Sequence, residues 1–209
     1  KPILLSTGLS TLQEVLDTVA FIQSVNSSYK DPNMLCLLQC TSMYPIPLSD
    51  ANLNVMTTYR NETGLSVGYS DHTEGMDALK IAAAMDASVL EYHFTDSRDG
   101  KEFRDHKVSL TPAELKNLKI ELTKLMAIKG SGIKLPTRSE LDENHQVSFR
   151  RAIYLRRDVK EGEVILASDL IFLRPAKGTD ARDVDLVVGA TSLRDIKAYN
   201  AIIHHQDYS

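Results

Sequence analysis

Two histidines stand out as able to do chemistry, because each follows a short apolar run and sits near an acid. His72 lies in Gly68-Tyr69-Ser70-Asp71-His72-Thr73, and His93 lies in Glu91-Tyr92-His93-Phe94-Thr95. Two neutral imidazoles hold a divalent transition ion well, and Mn, Fe, Co and Zn are all chemically suited to such a pair. Asp71 and Glu91 could orient the ligands from behind or stand as plain rim acids. A lone histidine at a strand end is more often a hydrogen-bonded packing residue, and two at matching ends bring the functional reading level with that one. His106, inside Arg104-Asp105-His106-Lys107, reads as solvated, and His145, His204 and His205 carry no pattern. Ser6-Thr7-Gly8 precedes a capped helix and could hold a phosphate, although an ordinary strand-to-helix turn is the commoner reading of such a stretch. The Arg150-Arg151 and Arg156-Arg157 pairs are candidate anion contacts or solvated surface.

The elements that must position these residues alternate between strand-like and helix-like signals. Pro2 to Ser6, Met34 to Cys40, Leu65 to Tyr69 and Ser88 to Phe94 are short apolar runs. Between them, Ser10 to Gln13 offers a capping box, and Leu12, Val15, Leu16, Val19 and Ile22 recur at helical spacing. Asn52 to Arg60 and Gly75 to Ala87 read as further helices, and Thr111-Pro112 with Glu114 opens another whose stripe is Leu115, Leu118, Leu122 and Leu125. Four strands each followed by a helix predict parallel βαβ units. No Gly-x-Gly-x-x-Gly turn follows any of them, so a dinucleotide-binding sheet loses to half of a TIM (β/α)8 barrel. In such a barrel the strand C-termini carry the active site, which puts His72 and His93 on one rim. The expected division is a partial barrel over 1–130, a polar linker over 131–148 and a small, mostly β domain over 149–209 with Leu186 to Gly189 among its strand-like pieces.

The 209 residues are 43% hydrophobic and 25% charged, an ordinary globular composition, and the net charge of −4 argues against a nucleic-acid partner. No apolar run approaches the roughly 20 residues that span a bilayer. Lys1-Pro2 leads straight into a strand-like run without a signal peptide, as expected of a chain that begins within a larger protein. Cys36 and Cys40 would lie about 13 Å apart on one strand, too far for a disulfide. Reduced thiols point to a cytoplasmic location.

Six pieces in order resemble the N-acetylneuraminate (sialic acid) synthase family. They are Leu4 to Gly8, Leu38 to Pro45, Gly68 to Thr73, Glu91 to Thr95, Asp105 to Leu110 and Arg174-Pro175. The resemblance implies a synthase that condenses phosphoenolpyruvate with N-acetylmannosamine or a related 2-acetamido sugar and releases phosphate. It also implies a homodimer whose antifreeze-like SAF (β-clip) domain caps the partner's barrel. At the matching positions it makes His72 and His93 ligands of Mn2+ or Mg2+, with Glu91 beside them in the catalytic set. Ser6 and Ser70 would contact phosphoenolpyruvate, Ser42, Tyr44 and Asp105 the sugar, and Arg174 the N-acyl group in the partner's site. Ser42 where many members carry Asn, Tyr92 where a basic residue is common, and Arg174-Pro175-Ala176 in place of Arg-Pro-Gly leave the sugar open. The family's first half-barrel, with its lysine for the phosphoenolpyruvate anion, has no counterpart in the chain, so this chain alone is expected to be inactive. A metal-dependent sugar-acid aldolase and a non-catalytic carbohydrate-binding antifreeze-like module are the alternatives.

Overall fold

A computed structural model describes all of residues 1–209 and divides them into two units, Lys1–Gly132 and Ile133–Ser209. The first unit carries a four-stranded, all-parallel sheet of order β1-β2-β3-β4, formed by Ile3–Ser6, Leu35–Cys40, Ser66–Asp71 and Val89–Tyr92. Helices α1 (Leu12–Val25), α2 (Asn54–Thr63) and α3 (Asp77–Ala84) connect successive strands. A short turn of helix, α4 (Asp105–Val108), and the long α5 (Pro112–Lys129) follow β4. Four consecutive parallel strands with helical crossovers make half of a (β/α)8 arrangement.

Side chains alternate between the two faces of a strand. Leu35, Leu37, Val67 and Tyr69 point to the helices, where they are at most 1% exposed and pack with Met56, Leu79 and Leu118. Leu118 is the one buried member of the α5 stripe; Leu115, Leu122 and Leu125 are half-buried. The other face presents Leu4 and Ser6 from β1, Cys36, Leu38 and Cys40 from β2, Gly68 and Ser70 from β3, and Glu91 from β4. Gly68 is required there, since a Cβ would come within 2.5 Å of both the Leu38 side chain and the Val89 carbonyl.

Helix α1 is capped one residue later than expected. Thr11, not Ser10, accepts from the Glu14 amide, and the Glu14 carboxylate takes the Thr11 N–H at 2.7 Å. The α5 cap forms as the sequence indicates, with Thr111 and Glu114 bonded reciprocally.

In the second unit, Thr137 and Glu140 form a third capping box that opens α6 (Arg138–Asp142), and α7 (His145–Ser148) follows, so the polar stretch is partly helical. Strands β5 (Ala152–Leu155) and β6 (Leu170–Leu173) pair antiparallel. Leu186 to Gly189 is not a strand: Asp180 caps a 3-10 helix, Ala181–Leu186, and Val187 turns inward to full burial beside Ile153 and Ile202. No helix of either unit is long and apolar enough to cross a membrane.

Candidate functional site

The register of the sheet explains why the two histidines meet. Ser70 pairs with Glu91 and Asp71 with Tyr92. One further step along the same register sets His72 beside His93, both on the face away from the helices. Their ring centroids are 5.3 Å apart, with the planes inclined at 69°. Two imidazoles on one ion at a metal–nitrogen distance of about 2.1 Å have centroids roughly 4.6–5.3 Å apart, so the pair is within shared-ligand range. His72 is 4% exposed, and its Nδ1 lies 2.7 Å from the Thr41 carbonyl oxygen. A carbonyl only accepts, so Nδ1 carries the proton and the Nε2 lone pair is left free, the tautomer a metal ligand needs. The His93 Nδ1 stands 3.8 Å from the Asp105 carboxylate, near but beyond hydrogen-bond reach. No group of three or more His, Cys, Asp or Glu side chains comes together to hold an ion. The chain's own residues therefore fit a divalent ion only as a two-imidazole pair.

Around the pair the structure gathers several other expected residues. The Tyr44 ring lies 4.1 Å from the His72 ring and 5.5 Å from that of His93. Burial, reinforced by the neighbouring Cys40 and Asp105, raises the Tyr44 phenol above its ordinary value, so it stays a neutral donor. Ser70 donates to Glu91 Oε1 at 2.7 Å, one row below the histidines. Glu91 is thus an exposed acid that orients a serine, not a partner of either imidazole. Ser42 is exposed on the loop after β2, close enough to the first loop that a Cβ on Gly8 would overlap its hydroxyl. Ser6 is exposed at the end of β1, in register with Leu38 rather than with the histidine row. Asp71, on the helix-facing side, accepts from the Thr73 amide at 2.9 Å, and burial raises its carboxyl.

Four features differ from the sequence reading or were absent from it. Glu14 takes the Thr11 amide and hydroxyl, so an anion at the helix end behind Ser6-Thr7-Gly8 would meet a carboxylate there. His106 is half-buried and its Nδ1 lies 3.1 Å from the Thr95 hydroxyl, which makes it a structural link and not a solvated residue. Arg104 places its guanidinium 5.0 Å over the Tyr44 ring and 3.7 Å from Asp105 Oδ1. Only the acid beside it, already a candidate, hinted at that position. Cys40 also joins the site, its Sγ 3.9 Å from His72 Nδ1, and burial raises its thiol. Arg174 belongs to the second unit, where it is exposed with its guanidinium 5.6 Å from the Phe149 ring.

Residues 1–134 match the model of the NeuB family, and residues 150–199 match that of the SAF domain. The N,N'-diacetyllegionaminic acid synthase of Legionella pneumophila is 38% identical over 206 residues, which cover 97% of this chain and 56% of that protein. An N-acetylneuraminic acid (sialic acid) synthetase from Leptospira borgpetersenii superposes with a TM-score of 0.59 at 31% identity, covering 69% of this chain and 48% of its own. The spore coat polysaccharide biosynthesis protein E of Chromobacterium violaceum shares the fold over the whole chain, with a TM-score of 0.78 at 23% identity and 61% of its own length covered. The chain thus spans little more than half the length of the curated relatives it matches.

Proposed function

The chain belongs to the NeuB family, and on that premise we propose that it supplies the metal-binding half of a barrel that condenses phosphoenolpyruvate with an N-acyl amino sugar, forming a carbon–carbon bond and releasing phosphate. The observation that carries this reading is the approach of His72 and His93 to 5.3 Å at the strand ends, with Tyr44 beside both rings.

In this reading His72 and His93 would hold Mn2+ or Mg2+, which when bound would supply Lewis-acid polarisation of an aldehyde oxygen. The Thr41 carbonyl, accepting from Nδ1, selects the His72 tautomer whose Nε2 lone pair is free for an ion. Ser70, redirecting its hydroxyl from Glu91, and Ser6 bind phosphoenolpyruvate so that its C3 faces the aldehyde carbon. Tyr44, Asp105 and Ser42 orient the sugar. Arg104, braced against Tyr44 and Asp105, holds both in place and adds positive charge at the rim. C3 of phosphoenolpyruvate attacks the aldehyde, water captures the cationic C2, and phosphate leaves by C–O cleavage. Arg174 of the SAF domain reaches a partner subunit's barrel in a homodimer and contacts the sugar's N-acyl group. The relatives named legionaminic and sialic acid synthases support an amino sugar as the acceptor.

The test is sugar-dependent phosphate release from phosphoenolpyruvate, measured in the protein that carries the complete barrel. Replacing His72 or His93 by Ala is expected to abolish metal-dependent turnover with the fold intact. Near-normal turnover in either variant removes the assignment. Phosphate release that does not depend on the sugar removes the condensation itself.

A further inference from the structure

The two arginine pairs of the second unit meet different fates. Arg157 donates to both Asp169 oxygens, at 2.7 and 3.0 Å, and to Glu163 at 3.2 Å, so its charge is spent within the fold. Arg150 and Arg151 form no such fork. The bridge between Ala152 and Asp180, with the Ala181 amide donating to the Arg151 carbonyl at 3.1 Å, brings them against a second arginine-bearing segment. Together with Asp180, Ala181 and Arg182 they line a cavity of about 260 Å³. Asp180 is the cavity's one acid, and Arg182 already takes both of its oxygens, at 2.9 and 2.8 Å. Asp180 and Arg182 compensate each other, with Asp183 also acting on Arg182, which leaves the charges of Arg150 and Arg151 without a carboxylate partner in the lining. Like charges gathered around a cavity repel one another, a cost that an anion placed among them would relieve. Guanidinium forks match phosphate oxygens bidentately, and a phosphate dianion carries the charge that is lacking.

We propose that Arg150 and Arg151, beside the Arg182–Asp180 pair, form an anion site on the second unit that takes a phosphate dianion, either free phosphate or the phosphate group of a small phosphoester. The site is independent of the histidine pair and of the reaction proposed for the barrel. Arg182 has its fork taken by Asp180 and lines the site as one half of that ion pair, whereas Arg150 and Arg151 are exposed and free to turn toward the ligand.

Backbone amide spectra of the 209-residue chain, titrated with inorganic phosphate, with phosphoenolpyruvate and with sodium chloride at matched ionic strength, test this. Saturating shifts confined to residues 149–152 and 179–183 are expected with phosphate and not with chloride. The R150Q/R151Q double variant should bind at least about tenfold more weakly while keeping the parent spectrum elsewhere. Tighter binding of phosphoenolpyruvate at the same residues identifies a phosphoester as the ligand, and equal binding identifies free phosphate. Shifts that chloride reproduces, or a double variant that titrates like the parent, overturn the site.

Discussion

The two units treat their strands in opposite ways. In the second unit β5 is buried on both faces, with Ala152, Ile153 and Leu155 fully covered and Tyr154 at 8% exposure. Several of its acids are paired as well: Asp158 meets Lys197, Asp169 meets Arg157, Asp195 meets Lys160 and Asp207 meets Arg194. In the first unit β1 is covered on one face only. Leu5 packs toward the helices while Leu4, its neighbour in sequence, is 52% exposed. The uncovered face carries Ser6, Ser70, Glu91, His72 and His93, none of them paired with a lysine or arginine, although Ser70 donates to Glu91 and His93 stands 3.8 Å from Asp105. A closed core gives the second unit stability from its own residues. An open face gives the first unit side chains that can still meet ligands.

That contrast can be broken most forcefully in the closed unit. Ile153→Ala removes a fully buried side chain and is expected to cost the second unit about 2–5 kcal/mol, read as lost amide-exchange protection in residues 133–209 with the first unit unchanged. Equal loss in both units would show that they do not behave as separate bodies. A smaller effect is expected at the clasp of the first unit, where Arg98 donates to both oxygens of Glu114 at 2.9 and 2.8 Å. The Arg98 bond holds the Glu114 carboxyl at about 2. A depressed carboxyl stabilises the fold above its unfolded value of about 4.3 and loses that contribution as pH falls toward 2. Glu114→Gln should therefore cost about 1–2 kcal/mol at pH 7, with the gap from the parent closing between pH 4.3 and 2 in urea titrations. A gap independent of pH would mean the pair contributes nothing as charges. The smallest effect belongs to the open face: Leu4→Ser should change stability by less than about 0.5 kcal/mol. A loss of several kcal/mol in denaturant unfolding would mean that something covers this face in solution.

Much of this was readable beforehand for physical reasons. Strands β1 to β4 are apolar runs bounded by polar residues, and the α5 cap is announced by Thr111, Pro112 and Glu114. The rim position of both histidines follows from strand length and direction alone. Other features depend on competition or on space. Ser10 and Thr11 are both good caps; Thr11 prevails because Glu14 takes its amide and hydroxyl together. Thr137 to Glu140 carries the same signature as Thr111 to Glu114, but the polar residues around it masked the helix. Val187 and Val188 look strand-like, yet the Asp180 cap commits the preceding residues to a 3-10 turn. The Thr41 carbonyl that sets the His72 tautomer is a backbone group without a signature, and the Arg104 contact with Tyr44 joins residues 60 positions apart.

Direct metal binding by this chain is the most incisive measurement, because it needs neither substrate nor a complete barrel. Titrated with Mn2+ and followed by water-proton relaxation and by paramagnetic broadening of amide signals, the chain should bind one ion saturably, with broadening centred on residues 72 and 93. His72→Ala and His93→Ala should each weaken that binding at least about tenfold and leave signals of the second unit unmoved. Either variant binding Mn2+ as tightly as the parent, or broadening centred elsewhere, would contradict a shared ion between these two rings.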